Sequence, residues 1–205
     1  MKTIKKTIHY ITTLVLVGIF CISSSLVGLA YSDDNVVPEP KATLKIVDSS
    51  NNLQEIKLPD AEVKTITSRN ANNVYTSVAT VTLSGEILQQ ILRTPGSTTI
   101  GGDVTVTAGM NYEMNGNTIS MRNVFGSYVP SGQYYAFDRK VTWAHSSGTF
   151  KGIAYPGSNN WQYTTNSQYI DWNKDVPPFV RAECSIGVVG MGGTGYNSAQ
   201  FDLTF

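Results

Sequence analysis

Cysteine and histidine are scarce in this chain, and their scarcity excludes several kinds of site. The 205 residues include two cysteines and two histidines. One of each lies in the first 30 residues, which have the features of an export signal, so a mature chain keeps only Cys184 and His145. An internal disulfide and a zinc site of three His or Cys ligands are then impossible. We expect Cys184 to be a small buried residue and His145 to lie at the rim of a turn.

Motifs for nucleophilic or cofactor chemistry are missing as well. No G-x-S-x-G elbow occurs, and the acidic residues are scattered, so no carboxylate pair for glycoside hydrolysis can be recognised. Gly190–Gly195 matches the dinucleotide-binding G-x-G-x-x-G pattern, but alternating residues follow it where that site needs a helix. We predict no catalytic residue, no metal site and no cofactor, and a non-enzymatic role is favoured.

An excess of charge of one sign is also absent. Fifteen Lys and Arg residues balance fifteen Asp and Glu residues. Removing residues 1–30 takes away three lysines and no acid, which leaves the chain slightly acidic. Such a chain has no basic surface for nucleic acid or for anionic membranes, so neither is expected as a partner.

The apolar runs are too short for a confident membrane span. The longest, Ile11–Ile22, contains two threonines, whereas a spanning helix needs about 20 apolar residues. Lysines precede this run and small residues follow it up to Ala30, which is the three-part pattern of a secretory signal. We predict that residues 1–30 are a signal peptide cleaved near Ala30, and that the mature protein is extracellular.

Alternation of apolar and polar side chains dominates the rest of the chain. It is clearest in Val104–Met114, and it returns in Thr118–Val124 after Asn115-Gly116, a pair typical of a type I′ hairpin turn. Further short alternating runs follow, separated by turn residues every eight to fourteen positions. This spacing predicts an all-β protein, an antiparallel β-sandwich of immunoglobulin-like or jelly-roll-like type.

The last alternating runs predict a closing hairpin. Val180–Val188 and Ala199–Phe205 flank the glycine-rich stretch. The residues of one parity are apolar and are expected in the core: Ala182, Cys184, Ile186, Phe201, Leu203 and Phe205.

One segment breaks the alternation. Ile87, Leu88, Ile91 and Leu92 recur at helical spacing, which predicts one short helix near residues 85–93 with Ser84 as its N-cap. Upstream, residues 31–70 are rich in charge and turn residues. We interpret 31–70 as an exposed leader with a possible short hairpin, and 71–205 as the β-sandwich domain.

Aromatic and amide residues cluster in one part of the sequence. The three tryptophans lie within thirty residues of one another, among tyrosines, asparagines and glutamines. Such side chains bind sugars, because rings stack on the apolar sugar faces and amides bond the hydroxyls. Filling of the core is the competing interpretation of the tryptophans. The ligand-binding candidates, chosen because they adjoin an Asn-rich loop or share this cluster, are Asn159, Asn160, Trp161, Tyr163 and Trp172.

These observations favour a secreted binding or adhesion module of a bacterial surface, with a cell-wall glycan, a host glycan or a surface protein as its partner. A secreted antimicrobial or pore-forming toxin is the alternative, since threonine-rich strands such as Val104–Met114 could rearrange into a barrel. A glycan-active hydrolase is the third hypothesis.

Overall fold

A computed structural model describes most of the chain beyond residue 38. The described ranges are 39–48, 50–56, 63–70, 74–92, 101–145, 148, 150–165, 167–191 and 197–205. The predicted signal peptide lies outside them. Within these ranges no helix is both long enough and apolar enough to cross a membrane.

Twelve strands and one helix make up the described fold. In chain order they are β1 (Lys41–Val47), β2 (Leu53–Ile56), β3 (Val63–Arg69), β4 (Val74–Leu83), α1 (Gly85–Leu92), β5 (Val104–Asn115), β6 (Thr118–Pro130), β7 (Tyr134–Ala144), β8 (Lys151–Ala154), β9 (Asn160–Thr164), β10 (Ile170–Asp171), β11 (Phe179–Val188) and β12 (Ser198–Thr204). The first sheet has the order β2-β1-β12-β11-β7-β8. The second has the order β10-β6-β5-β4-β3, and β9 also pairs with β6.

The two sheets enclose a continuous apolar core. Along β4, for example, every second residue from Tyr75 to Leu83 is buried and the intervening ones are half-buried. Contacts between the sheets fix their relative position. The Tyr128 hydroxyl of β6 donates to the Lys140 carbonyl of β7 at 3.1 Å. The Phe205 ring meets the Tyr112 ring edge-on at 4.9 Å. The predicted all-β sandwich with antiparallel sheets and one short helix is confirmed.

The described strands within residues 41–69 do not form the predicted exposed leader. β1 pairs along its whole length with β12, and Leu44 and Ile46 of β1 lie in the core. β3 pairs with β4 in the other sheet. The β1–β2 hairpin agrees with the hairpin that the sequence suggested. Lys41 and Lys45 occupy the outward parity of β1, so a high charge density did not mean an unpacked chain.

The turn between β5 and β6 differs by one residue from the predicted one. Asn115 pairs with Thr118, so Gly116 and Asn117 are the central residues. Of these two, only Gly116 has a positive φ, at 57°. A type I′ turn requires a positive φ at both positions, whereas glycine at the first position alone is typical of type II′.

A β-bulge divides β7. Glu183 pairs with Lys140 and Ser185 pairs with Phe137, so two residues of β7 oppose the single residue between them on β11. Asp138, at the bulge, has a φ of 47°. The bulge lets residues of opposite parity before and after it face the same core, as Ala136 and Val141 do.

The short helix α1 is held at one end of the sandwich by its apolar stripe. Leu88, Ile91 and Leu92 are buried, which confirms the predicted stripe. Asn197, just before β12, donates its backbone N–H to the Ile91 carbonyl and its side-chain amide to the Gln90 carbonyl, both at 3.1 Å. These bonds satisfy carbonyl groups that have no partner within a helix.

The closing hairpin of β11 and β12 is confirmed, and all six of its predicted core residues are buried. Cys184 is a free thiol within this core and is 1% exposed. Burial raises the pKa of the Cys184 thiol to about 12, despite the opposing influence of Arg139.

The Cys184 thiol is expected to be inert in the folded protein. The thiolate is the reactive species, and neither its formation nor the approach of a reagent is favoured in the core. A disulfide-exchange reagent at mildly alkaline pH should therefore label Cys184 completely in guanidinium chloride and not at all in its absence. Labelling of the native protein at the denatured rate would contradict the buried position.

Candidate functional site

Two of the predicted ligand-binding aromatics belong to the interior of the sandwich. Trp161 is only 6% exposed, so the prediction that it lies on the surface is wrong. Tyr163, two residues along β9, is half-buried and stacks on Trp161 with ring centroids 6.2 Å apart. Tyr163 also stacks on Trp143 of β7, with ring centroids 5.6 Å apart. The three rings bridge the two sheets and close one edge of the core.

The glycine opposite Trp161 explains why this ring turns inward. Trp161 pairs with Gly126 of β6, and its ring occupies the space that a side chain at residue 126 would fill. Trp143 covers Gly152 of β8 in the same way. A glycine across the ladder leaves a depression that a large ring fills, so both tryptophans bury their area against backbone.

The other predicted residues are separated from this stack or already have partners. Asn159 accepts a bond from Arg139 on its side-chain oxygen at 2.8 Å. Trp172 is half-buried against the core, and its backbone N–H donates to the Asn117 carbonyl at the opposite end of β6. Roughly 25 Å of strand separates that end from Gly126. The five predicted residues therefore do not form one site.

His145 is also buried rather than at a rim. It is 0% exposed, and its Nε2 lies 2.8 Å from the Ile119 carbonyl oxygen of the second sheet. This contact links the end of β7 to β6, which gives the histidine a structural position inside the fold.

The outward face of β9 carries a different set of groups. Asn160, Gln162 and Thr164 have the opposite parity to Trp161 and are exposed. They pair with Ser127, Phe125 and Asn123 of β6, respectively. β9, which holds three of the predicted ligand-binding residues, therefore exposes its amide and hydroxyl groups to solvent and turns its rings inward.

These residues continue across the second sheet as a broad neutral surface. We define the polar face as the outward residues of β4, β5, β6 and β9 that carry a hydroxyl or amide group. They are Thr76, Thr80, Thr82, Thr105, Thr107, Asn111, Asn123, Ser127, Asn160, Gln162 and Thr164. None of them is ionisable.

Cross-strand hydrogen bonds order the polar face. The hydroxyl oxygens of Thr80 and Thr107 lie 3.2 Å apart. Thr76 donates its hydroxyl to the side-chain oxygen of Asn111 at 2.7 Å. Bonds of this kind hold donors and acceptors in fixed rows, so less side-chain entropy is lost when a ligand binds.

Phe125 lies at the centre of the polar face. It is half-buried, pairs with Gly109 of β5, and covers that glycine with its ring. The neighbouring rows hold Asn111 and Asn123 on one side and Thr107 and Ser127 on the other. The side-chain oxygen of Asn123 is buried and accepts no hydrogen bond from any described residue. An aromatic platform and an unsatisfied acceptor therefore lie side by side.

A small ionic cluster marks one end of this surface. Arg122 pairs with Glu113, and the Tyr169 hydroxyl donates to the same carboxylate at 2.7 Å. The hydrogen bond from Arg122, followed by that from Tyr169, lowers the pKa of Glu113. Glu113 therefore stays ionised, and the cluster ties the segment after β9 to the sheet.

The polar face can offer a ligand many neutral hydrogen bonds beside one ring. It lacks the paired carboxylates or the nucleophile and base that hydrolysis needs. Across the described residues, no group of three His, Cys, Asp or Glu side chains could hold a metal ion. Sequence alternation alone could have identified which residues of β9 face outward. It could not have shown that the polar surface continues across β4, β5 and β6. Neither a protein-family model, nor a curated protein, nor a solved structure matches the chain.

Proposed function

We propose that this chain is a secreted, non-enzymatic binding module that recognises a neutral glycan through the polar face of its second sheet. The observation that carries the proposal is the set of ordered, uncharged hydroxyl and amide groups around Phe125. Sugar hydroxyls act as both donors and acceptors, and the C–H face of a pyranose stacks on an aromatic ring. Export, which the pattern of residues 1–30 predicts, would bring the module to cell-wall or host glycans.

The neutrality of the surface favours a glycan over a protein partner. A protein interface is expected to bury aromatic and aliphatic anchors in pockets within a dry centre. The centre of the polar face has one half-buried ring, and the rows next to it are polar. A ligand with a hydroxyl at nearly every carbon fits this composition better.

The test is a titration of backbone amide NMR signals with neutral oligosaccharides, for which chitohexaose, cellohexaose and xylohexaose serve as probes. Shifts confined to β4, β5, β6 and β9 are expected. Phe125→Ala should weaken binding by about tenfold, the loss expected from one well-placed aromatic contact. Tryptophan emission is a poor reporter here, because Trp143 and Trp161 are buried.

Tyr135→Ala is the matched control. Tyr135 covers Gly187 on the outward side of the first sheet, as Phe125 covers Gly109 on the second. Both variants remove a ring that covers a glycine, so the free energy of unfolding should fall by a similar amount in the two. Only Phe125→Ala should lower the affinity for the oligosaccharides. Equal loss of affinity in the two variants, or the absence of shifts with all three probes, would refute the proposal.

A further inference from the structure

A concave region lies on the outward side of the first sheet, away from the polar face. It is a pocket of about 410 Å³, within the range of small-molecule sites. Strands β1, β7, β8, β11 and β12 contribute to it, together with residues 175–177 before β11. Phe179 is part of its apolar wall, and its polar wall includes Lys45, Lys151, Asp175, Arg181 and Asp202.

Asp202 is unusual because it is buried on the solvent side of a sheet. Its side chain is 5% exposed, and it accepts two bonds from Arg181, at 2.7 Å and 3.0 Å. The side-chain amide of Gln200 donates to it at 3.1 Å, and Lys45 Nζ lies 3.7 Å away. Burial alone would lower the pKa of Arg181, but the bonds and attraction of Asp202 raise it, so the guanidinium stays charged.

The charges around the pocket do not cancel. Asp202 faces two cations, Lys45 and Arg181, and can neutralise only one of them. Lys151 reaches the pocket from β8 and has no ion-pair partner among the described residues, while Asp175 contributes a second negative charge on the wall. Among the side chains that line the pocket, three cations face two carboxylates, which leaves one net positive charge, that of the exposed Lys151. Glu183 also attracts Arg181, but it is paired with Lys140.

We propose that this pocket binds a small organic carboxylate. A single negative charge on the ligand neutralises the excess, with Lys151 and the unused N–H groups of Arg181 as donors. Phe179 and the neighbouring apolar wall then contact the ligand's uncharged body. The site is independent of the polar face, so neither proposal depends on the other.

The experiment compares glucuronate with glucose, which differ by the carboxylate alone, in calorimetric or NMR titrations of the intact protein. Glucuronate should bind with shifts in β8, β11 and β12, and glucose should give none there at the same concentration. Added sodium chloride should weaken the binding, because the attraction is electrostatic. Equal responses to the two sugars, or no response to glucuronate, would overturn the proposal.

A second experiment measures glucuronate binding by the Lys151→Gln variant. Lys151 is exposed on a short edge strand, so its replacement should leave the fold intact. The affinity for glucuronate should fall about fivefold or more, because the net positive charge is removed. Lys41→Gln is the control, since Lys41 is an exposed lysine of the same sheet that does not line the pocket. Equal affinities of the two variants would place the carboxylate elsewhere and refute the assignment.

Discussion

Removal of residues 201–205 is expected to abolish folding of the whole sandwich. β12 lies between β1 and β11 in the first sheet, and its loss leaves both neighbours with an unpaired edge. Phe201 and Leu203 are fully buried, and the Phe205 ring bridges to Tyr112 of the other sheet. Loss of three buried side chains, at about 2–5 kcal/mol each, together with the lost strand pairing, is comparable to the whole stability of about 5–15 kcal/mol that a domain possesses. Circular dichroism and the loss of amide signal dispersion would report the result.

A point variant tests the same position while leaving the strand in place. Phe201→Ala should lower the free energy of unfolding by about 3–5 kcal/mol, the usual cost of a phenylalanine cavity in a core. Phe150→Ala is the matched control, because Phe150 is 38% exposed and its loss should cost less than about 1 kcal/mol. Denaturant titration gives both values. A truncated chain that still unfolds cooperatively would show that β12 is dispensable.

Replacement of Gly126 by alanine is expected to destabilise the protein by about 2–3 kcal/mol, although only one methyl group is added. A Cβ at residue 126 would overlap the Thr107 carbonyl oxygen and the Trp161 ring. The carbonyl belongs to the neighbouring strand and cannot move without distorting the β5–β6 ladder, and the ring is held by its stack on Tyr163. At an open strand position alanine is favoured over glycine, so a loss of stability reports the clash itself.

Gly157→Ala is the control for this prediction. A Cβ at Gly157 would meet no atom within 4 Å, and the position is exposed. Its replacement should change the free energy of unfolding by less than about 0.5 kcal/mol. The emission of Trp161 should shift to longer wavelength in Gly126→Ala only, as the ring is displaced towards solvent. Equal stabilities of the two variants would mean that Trp161 does not lie over Gly126.

The four aromatic–glycine pairs divide between the two sides of the sheets. Trp161 with Gly126 and Trp143 with Gly152 lie on the core side, whereas Phe125 with Gly109 and Tyr135 with Gly187 lie on the outward sides. The same local arrangement therefore stabilises the interior in one case and presents a ring at the surface in the other. Only the outward pairs can contact a ligand, which is why Phe125, rather than Trp161, is the aromatic residue of the proposed glycan surface.

The sequence determined the paired strands β5 and β6, the short helix, and the buried parity of the closing hairpin. These features depend on neighbours within a few positions, where alternation and helical spacing are direct consequences of backbone geometry. Alternation also placed Trp161 and Tyr163 on one side of β9. The tertiary structure decided that this side is the inner one, because the fit of Trp161 over Gly126 joins residues 35 positions apart in the chain. The pairing of β1 with β12 and the gathering of Lys45, Lys151, Arg181 and Asp202 into one pocket likewise depend on long-range register. Sequence periodicity fixes which face of a strand is buried, but it does not identify which other strand of suitable parity is its partner.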